Sequence, residues 1–269
     1  MPRLRSVPTI VEQRGDLIVE RDPKRPSGRL LRQGAMDASY VDLADPAHLE
    51  FDYLRWMRIV LRAARAHRVL HVGGGACALA RALAADDPES RQEVCEVDPA
   101  VLAIAREHLG LRRVPGLRVR LADGRVFIAA QRDSSWDAVV IDAYIGAAVP
   151  RRLVSVEALA DVGRVAPLAM VNVVDNRAGR VMRSVAAGLA LTYRRVFALG
   201  AGGGNTVVVA SASNLDLARI SARAVADPSP ARLTTPTAMA RLVAATAPLR
   251  DEEADGGPLF ENQGRNPGS

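Results

Sequence analysis

The sequence predicts an α/β fold. A mostly parallel sheet carries helices on both faces, ends in a C-terminal antiparallel hairpin, and follows a small N-terminal antiparallel β-sheet. Three observations predict it. The apolar run Val69-Leu70-His71-Val72 enters the turn Gly73-Gly74-Gly75 and continues into an Ala- and Leu-rich segment. Strand, glycine turn and helix in that order open a nucleotide-binding α/β unit. Three later runs end in acids, at Glu96-Val97-Asp98, Asp123 and Asp142. Strand-like and helix-like stretches alternate from residue 68 to 199, and a glycine loop then joins two final strands too tightly for a crossover.

Taken in order, residues 9–22 hold two strand-like runs around Arg14-Gly15-Asp16, a hairpin pattern. Residues 23–28 make a turn, and 29–32 and 38–43 supply two more strands. Residues 1–45 therefore read as a small β-sheet region. A helix is predicted to start with Asp45 as N-cap and Pro46 in its first turn. Leu49, Tyr53, Trp56, Met57, Val60, Leu61 and Ala64 then recur at three- and four-residue spacing. Next come strand 68–72 and helix 76–86, strand 93–97 and helix 99–109, and strand 117–121 and helix 124–132. Strand 137–142 leads through loop 143–150 to helix 152–164, and strand 168–174 to helix 178–192. Strands 195–199 and 206–211 pair as the closing hairpin at one edge. That is the plan of the class I methyltransferase (Rossmann-like) fold, expected here over residues 46–249. Two further helices are expected over 215–225 and 235–247. Residues 250–269 turn acidic, then rich in Gly, Pro and Asn, and read as a disordered tail.

At 269 residues, with 49% hydrophobic and 25% charged side chains, the chain has the composition of a globular protein with a large core. No apolar run reaches the ~18 residues of a membrane helix, and the arginine-rich N-terminus lacks a signal-peptide core. A cytoplasmic protein is expected, with no membrane partner. Cys77 and Cys95 show no metal or redox spacing and read as buried thiols; the four histidines show no ligand spacing, so no metal is expected. The net charge is +6, but the arginines are scattered and aromatics make up only 4% of the chain. Nucleic acid is not expected as a partner.

The strand ends carry the chemistry. Glycine at 73–75 permits unusual dihedrals and a close approach of ligand to backbone. Glu96 lies about 20 residues beyond that turn, where a carboxylate can accept from ribose hydroxyls. One glycine-rich and three acidic strand ends form a nucleoside pocket at the carboxyl edge of the sheet.

These residues resemble the spermidine synthase (polyamine aminopropyltransferase) family, a branch of the class I methyltransferase superfamily. The resemblance runs from about residue 28 to 215. It is carried by Val69-Leu70-His71-Val72-Gly73-Gly74-Gly75, Cys95-Glu96-Val97-Asp98, Ala122-Asp123-Gly124 and Trp136-Asp137-Ala138-Val139-Val140-Ile141-Asp142-Ala143, with Phe51-Asp52-Tyr53 and residues 205–211 in support. It implies that Gly73, Gly74 and Gly75 approach a sulfonium nucleoside, decarboxylated S-adenosylmethionine or S-adenosylmethionine. Glu96, next to Asp98, would hold the ribose. Asp123 would accept from the adenine amino group beside Gly124. Asp142 would be the catalytic carboxylate that orients an amine and assists its proton loss. Asp37, Tyr53 and Tyr144 would lie on the substrate side. A homodimer built on the N-terminal sheet is also implied.

The departures are equally specific. The family's glycine loop continues with an acid where this chain has Ala76. Its loop after the fourth strand has a second acid where this chain has Ile145, and its N-terminal Gln appears as Asp37. A dication loses binding energy without its counter-charges, which weighs against putrescine as acceptor. Three readings follow: aminopropyl transfer to an amine or other small acceptor, S-adenosylmethionine-dependent methyl transfer, and nucleoside binding without catalysis.

Overall fold

The computed structural model describes residues 8–146, 148–175 and 179–251. Alternation builds the N-terminal region: β1 (Thr9–Arg14), β2 (Leu17–Arg21), β3 (Gly28–Gln33) and β4 (Met36–Asp42) pair as a four-stranded antiparallel meander. Leu17, Val19, Leu31 and Val41 point to its inner face.

The second sheet contains β5 (Arg68–Gly73), β6 (Arg91–Glu96), β7 (Leu117–Leu121), β8 (Ala138–Asp142), β9 (Leu168–Asp175), β10 (Arg195–Gly200), β11 (Gly204–Ser211) and β12 (Arg232–Thr234). Their spatial order is β12-β10-β11-β9-β8-β5-β6-β7. Pairing is parallel from β7 through to β9 and antiparallel where β11 inserts between β9 and β10. The chain runs outward from β5 through β6 to β7 on one side, and from β8 to β9 on the other. The β5–β8 seam is therefore the topological switch point, where crossovers diverge and leave a crevice at the carboxyl ends.

Apolar runs on both faces of the parallel strands need helices on both sides. Val69, Val94, Val140 and Met170 pack under α1 (Asp52–Ala64), α2 (Ala78–Asp86) and α3 (Pro99–His108). The inner face of the N-terminal meander joins that same cluster. On the opposite face Leu70, Val139, Ile141 and Val171 meet α4 (Gly124–Ala129), α5 (Arg151–Val154), α6 (Val156–Val165) and α7 (Arg180–Thr192). α8 (Leu217–Val225) and α9 (Pro236–Val243) complete the described helices. Among the described residues no helix is long and apolar enough to cross a membrane.

Several expectations need correction, among them the helix expected over 235–247, which ends at Val243. The first helix begins at Asp52, not at Pro46: Asp45 accepts from the Ala47 amide and closes only a single turn. Carbonyls of Ala47, Leu49 and Glu50 accept from Arg58 and Arg55 instead of continuing a helix. The predicted helix 152–164 breaks at Ser155, whose backbone is extended and whose hydroxyl caps α6 through the Ala158 amide. The predicted helix 124–132 stops at Ala129. The closing hairpin is not the sheet edge, because the unanticipated β12 pairs with β10 outside it. The tail expected at 250–269 lies outside the described residues beyond Asp251. Asp251 itself accepts from the Ser155 hydroxyl and from Arg125.

Candidate active site

Strand register brings together residues that lie far apart in sequence. β5 and β8 pair Gly73 with Asp142, so the carboxylate sits beside the glycine turn. β8 and β9 pair Ile141 with Val171, which sets Asp142 next to Asn172. Val140 and Met170, two residues earlier, lie in the core beneath α1 and α2, so by alternation Asp142 and Asn172 face that side as well.

Asp142 Oδ1 accepts from Asn172 Nδ2 at 2.9 Å, and Oδ2 accepts from the Tyr53 hydroxyl at 3.2 Å. Burial pushes the Asp142 carboxyl up to about 6, with the two hydrogen bonds opposing that rise. Burial and the neighbouring carboxylate raise the Tyr53 phenol. Tyr53 stacks on Phe51 with ring centroids 6.0 Å apart. Tyr144 lies one residue beyond the Asp142–Ala143 corner, and its buried hydroxyl meets no described partner. Ile145, the next residue, is 59% exposed.

The glycine turn is shaped by its neighbours. Gly73 has φ +76, and a Cβ there would lie 2.6 Å from the Asp142 carbonyl oxygen, so no other residue fits without moving β8. At Gly74 a Cβ would meet open space. The N-terminal sheet reaches into the turn, where Ser39 Oγ accepts from the Ala76 amide at 3.2 Å. Ala76 is fully enclosed. Ser39, Phe51, Tyr53, His71, Gly74 and Asp142 border a cavity of about 20 Å³, water-sized. Burial pulls the His71 imidazole down to about 4, so it is neutral at pH 7.

Across β6, Glu96 Oε1 accepts from the amides of Val97 (2.8 Å) and Asp98 (3.1 Å), and burial raises its carboxyl. Asp98 caps α3 through the Ala100 amide. Asp123 caps α4 through the Val126 amide and pairs with Arg152 at 3.0 Å, both through Oδ1. Gly124 is held by packing, since a Cβ would come within 2.3 Å of Val72 Cγ1. Val97, Leu121 and Val126 expose apolar side chains along this edge.

The crevice thus gathers Gly73, Gly74, Gly75, Tyr53, Asp142 and Tyr144 at the switch point, with Glu96, Asp98, Asp123 and Gly124 along the adjoining strand ends. Asp37 is set apart. It lies in a separate cleft of about 480 Å³ with Glu20, Asp22, Glu50 and Asp52, and only Phe51 borders both spaces. Sequence reasoning missed Asn172, Ser39 and Arg152. Asn172 had a signal, a polar residue inside an apolar central strand, which demands a partner. Ser39 and Arg152 had none, because only tertiary packing brings them to the loop ends. Among the described residues no three His, Cys, Asp or Glu side chains gather to hold a metal ion. Both cysteines are buried free thiols.

No family model matches the chain. A 94-residue stretch is 33% identical to a polyamine aminopropyltransferase of Vibrio vulnificus (strain CMCP6); the match covers 34% of this chain and 31% of that protein, about a third of the relative's length. A probable spermidine synthase from Corynebacterium glutamicum ATCC 13032 superposes with a TM-score of 0.82 at 25% identity, over 91% of this chain and 96% of that one. The spermidine synthase of Thermotoga maritima gives 0.59 at 16% identity (76% and 73% covered). Human methyltransferase-like protein 13, in complex with SAH, gives 0.55 at 18% (75% and 96% covered). These last two likenesses are of fold.

Proposed function

We propose that this chain, a divergent spermidine-synthase-like protein on the class I methyltransferase fold, transfers an aminopropyl group from a sulfonium nucleoside to an amine. The observation that carries the reading is the Asp142–Tyr53–Asn172 cluster at the switch point, directly beside the glycine turn. A carboxyl group whose pKa burial raises to about 6, hydrogen-bonded on both oxygens, is suited to taking a proton from an amine.

The residues present fit such a nucleoside. The open space at Gly74 admits its sulfur-bearing tail against the backbone. Glu96, already oriented by two amides, accepts from the ribose hydroxyls. The exposed apolar side chains of Val97, Leu121 and Val126 flank the base, and Asp123 accepts from its amino group. When bound, the donor supplies an electrophilic methylene carbon next to sulfur and leaves as methylthioadenosine. Tyr53 and Asn172 hold Asp142 in place, and Asp142 accepts the N–H of the attacking amine and removes its proton as the C–N bond forms. Asp37, in the neighbouring acidic cleft, meets the far end of a longer acceptor. The reading carries with it a homodimer joined through the N-terminal sheet.

A second reading is methyl transfer from S-adenosylmethionine itself. The enclosed Ala76 favours it, since no carboxylate stands there to repel the methionine carboxylate. Parallel calorimetric titration with methylthioadenosine, S-adenosylhomocysteine and decarboxylated S-adenosylmethionine separates the two. We expect tighter binding of the first and third, and amine-dependent release of methylthioadenosine. Preference for S-adenosylhomocysteine transfers the assignment to methyl transfer. Binding without turnover of any amine makes the chain a non-catalytic relative.

A further inference from the structure

We infer that Asn172 selects the acceptor: its amide nitrogen positions Asp142, and its carbonyl oxygen takes the second N–H of a primary amine. The inference rests on the amine-transfer reading and deepens it.

Asn172 is 1% exposed, in the middle of a strand whose other residues on that face are apolar. Burying a carboxamide without full pairing is costly. Nδ2 is satisfied by Asp142 Oδ1. Oδ1 meets no donor among the described residues. The assignment of nitrogen and oxygen is forced by the neighbour, because a carboxylate only accepts and the donor end must face it. The acceptor end is therefore left over, on the strand beside the reacting carboxylate and two strands from the glycine turn.

The chemistry of an attacking amine matches this pair. A neutral primary amine directs its lone pair at the methylene carbon and has two N–H bonds left. One donates to Asp142 and the other to Asn172 Oδ1. As the C–N bond forms, the C–S bond breaks with its electron pair on sulfur, and the ammonium proton passes to Asp142. A secondary amine has one N–H and leaves Oδ1 unmatched. Sites built to hydrogen-bond a substrate group discriminate strongly against an analogue lacking it. The other groups facing Asp142 are the Tyr53 phenol from α1, the Tyr144 phenol from its own loop and the neutral His71 from β5. None of them is positively charged at neutral pH.

The test compares butylamine with N-methylbutylamine as acceptors in the wild type and in Asn172→Leu, with Asn172→Val, which suits a strand and also removes both polar atoms, as a second variant should Leu fail to fold. Retained methylthioadenosine affinity and near-ultraviolet dichroism show that the fold is intact. The wild type is expected to prefer the primary amine by at least about tenfold, and the variant to lose that preference. The Asp142 carboxyl, followed by carbon NMR, is expected to titrate at higher pH in the variant, since a donor is gone. An unchanged preference overturns the acceptor role, and an unchanged Asp142 titration in a folded variant overturns the positioning role. If the wild type releases no methylthioadenosine with any amine, the amine reading fails and the acceptor role with it, while the titration still decides whether Asn172 holds Asp142.

Discussion

Asp142 is held at a cost. Its carboxyl sits at about 6 instead of 3.8 because burial disfavours the charged form. With a raised native value, this group weakens the fold as pH climbs from ~4 to ~6, and the whole penalty of ~3 kcal/mol is present at pH 7. Asp142→Asn, which keeps shape and stays neutral, is expected to raise stability at pH 7.5 and leave it nearly unchanged at pH 4. Denaturant melts at the two pH values measure this, and equal effects at both would contradict it. The same substitution is expected to abolish turnover while sparing methylthioadenosine binding. The two positions where acids are missing differ sharply. Ala76 is enclosed under Ser39, so Ala76→Asp buries a carboxylate and is expected to cost ~3 kcal/mol. Ile145 is 59% exposed, so Ile145→Asp is expected to change stability by less than ~0.5 kcal/mol. Thermal melts of the two single variants check the contrast.

The α1 helix delivers Tyr53 to the site, and one arginine pins that helix. Arg55 Nε donates to both Asp227 oxygens at 3.0 and 3.2 Å, and its Nη1 to the carbonyls of Leu49 (3.0 Å) and Glu50 (2.7 Å). It ties the 43–51 connector and the segment after α8 to the first turn of α1. Trp56 reinforces the tie through Ser229. Arg55→Ala strands Asp227, whose side chain is only 8% exposed, and is expected to cost ~3 kcal/mol. Because Tyr53 is in the same turn, the acceptor KM is expected to rise more than the nucleoside Kd. Steady-state kinetics beside calorimetry read the split, and equal changes in both would remove the positional role of this helix start.

The two sheets share one core. Leu17, Val19, Leu31 and Val41 of the N-terminal meander lie within the cluster that holds α1, α2 and α3. At ~2 kcal/mol for each buried side chain, those four contribute on the order of 8 kcal/mol, comparable with the entire stability of an ordinary domain. One cooperative calorimetric transition is expected for the whole chain. A chain lacking residues 1–45 is expected to lose that transition, and also the Ser39 bond to the glycine turn. A truncated chain that melts cooperatively and binds methylthioadenosine would contradict this.

Local periodicity and turn chemistry specified most of the elements. The glycine turn, the acids that close β6 and β8, and the strand–helix alternation depend on contacts within a few residues, so the pattern 68–211 could be read along the chain. The meander was visible for the same reason, since alternation needs only a strand and its turn. Helix ends were less accessible. Asp45-Pro46 is a sound start signal, and it failed because Arg55 and Arg58 draw the connector carbonyls away from helical bonding. β12 is three residues long, too short for any pattern, and exists only because β10 offers it an edge. The site divides the same way. Glu96, Asp123 and Asp142 stand at strand ends that the sequence marks. Strand register alone seats Asn172 beside Asp142 and Arg152 returns to Asp123 only through α5. Asp37, read from the resemblance as a substrate-side residue, lies on β4 in the adjoining cleft, a placement that no local pattern specifies. Short-range propensity is written residue by residue, whereas register and long-range pairing are settled by the collective burial of apolar faces, and it is these that assemble the cluster around Asp142.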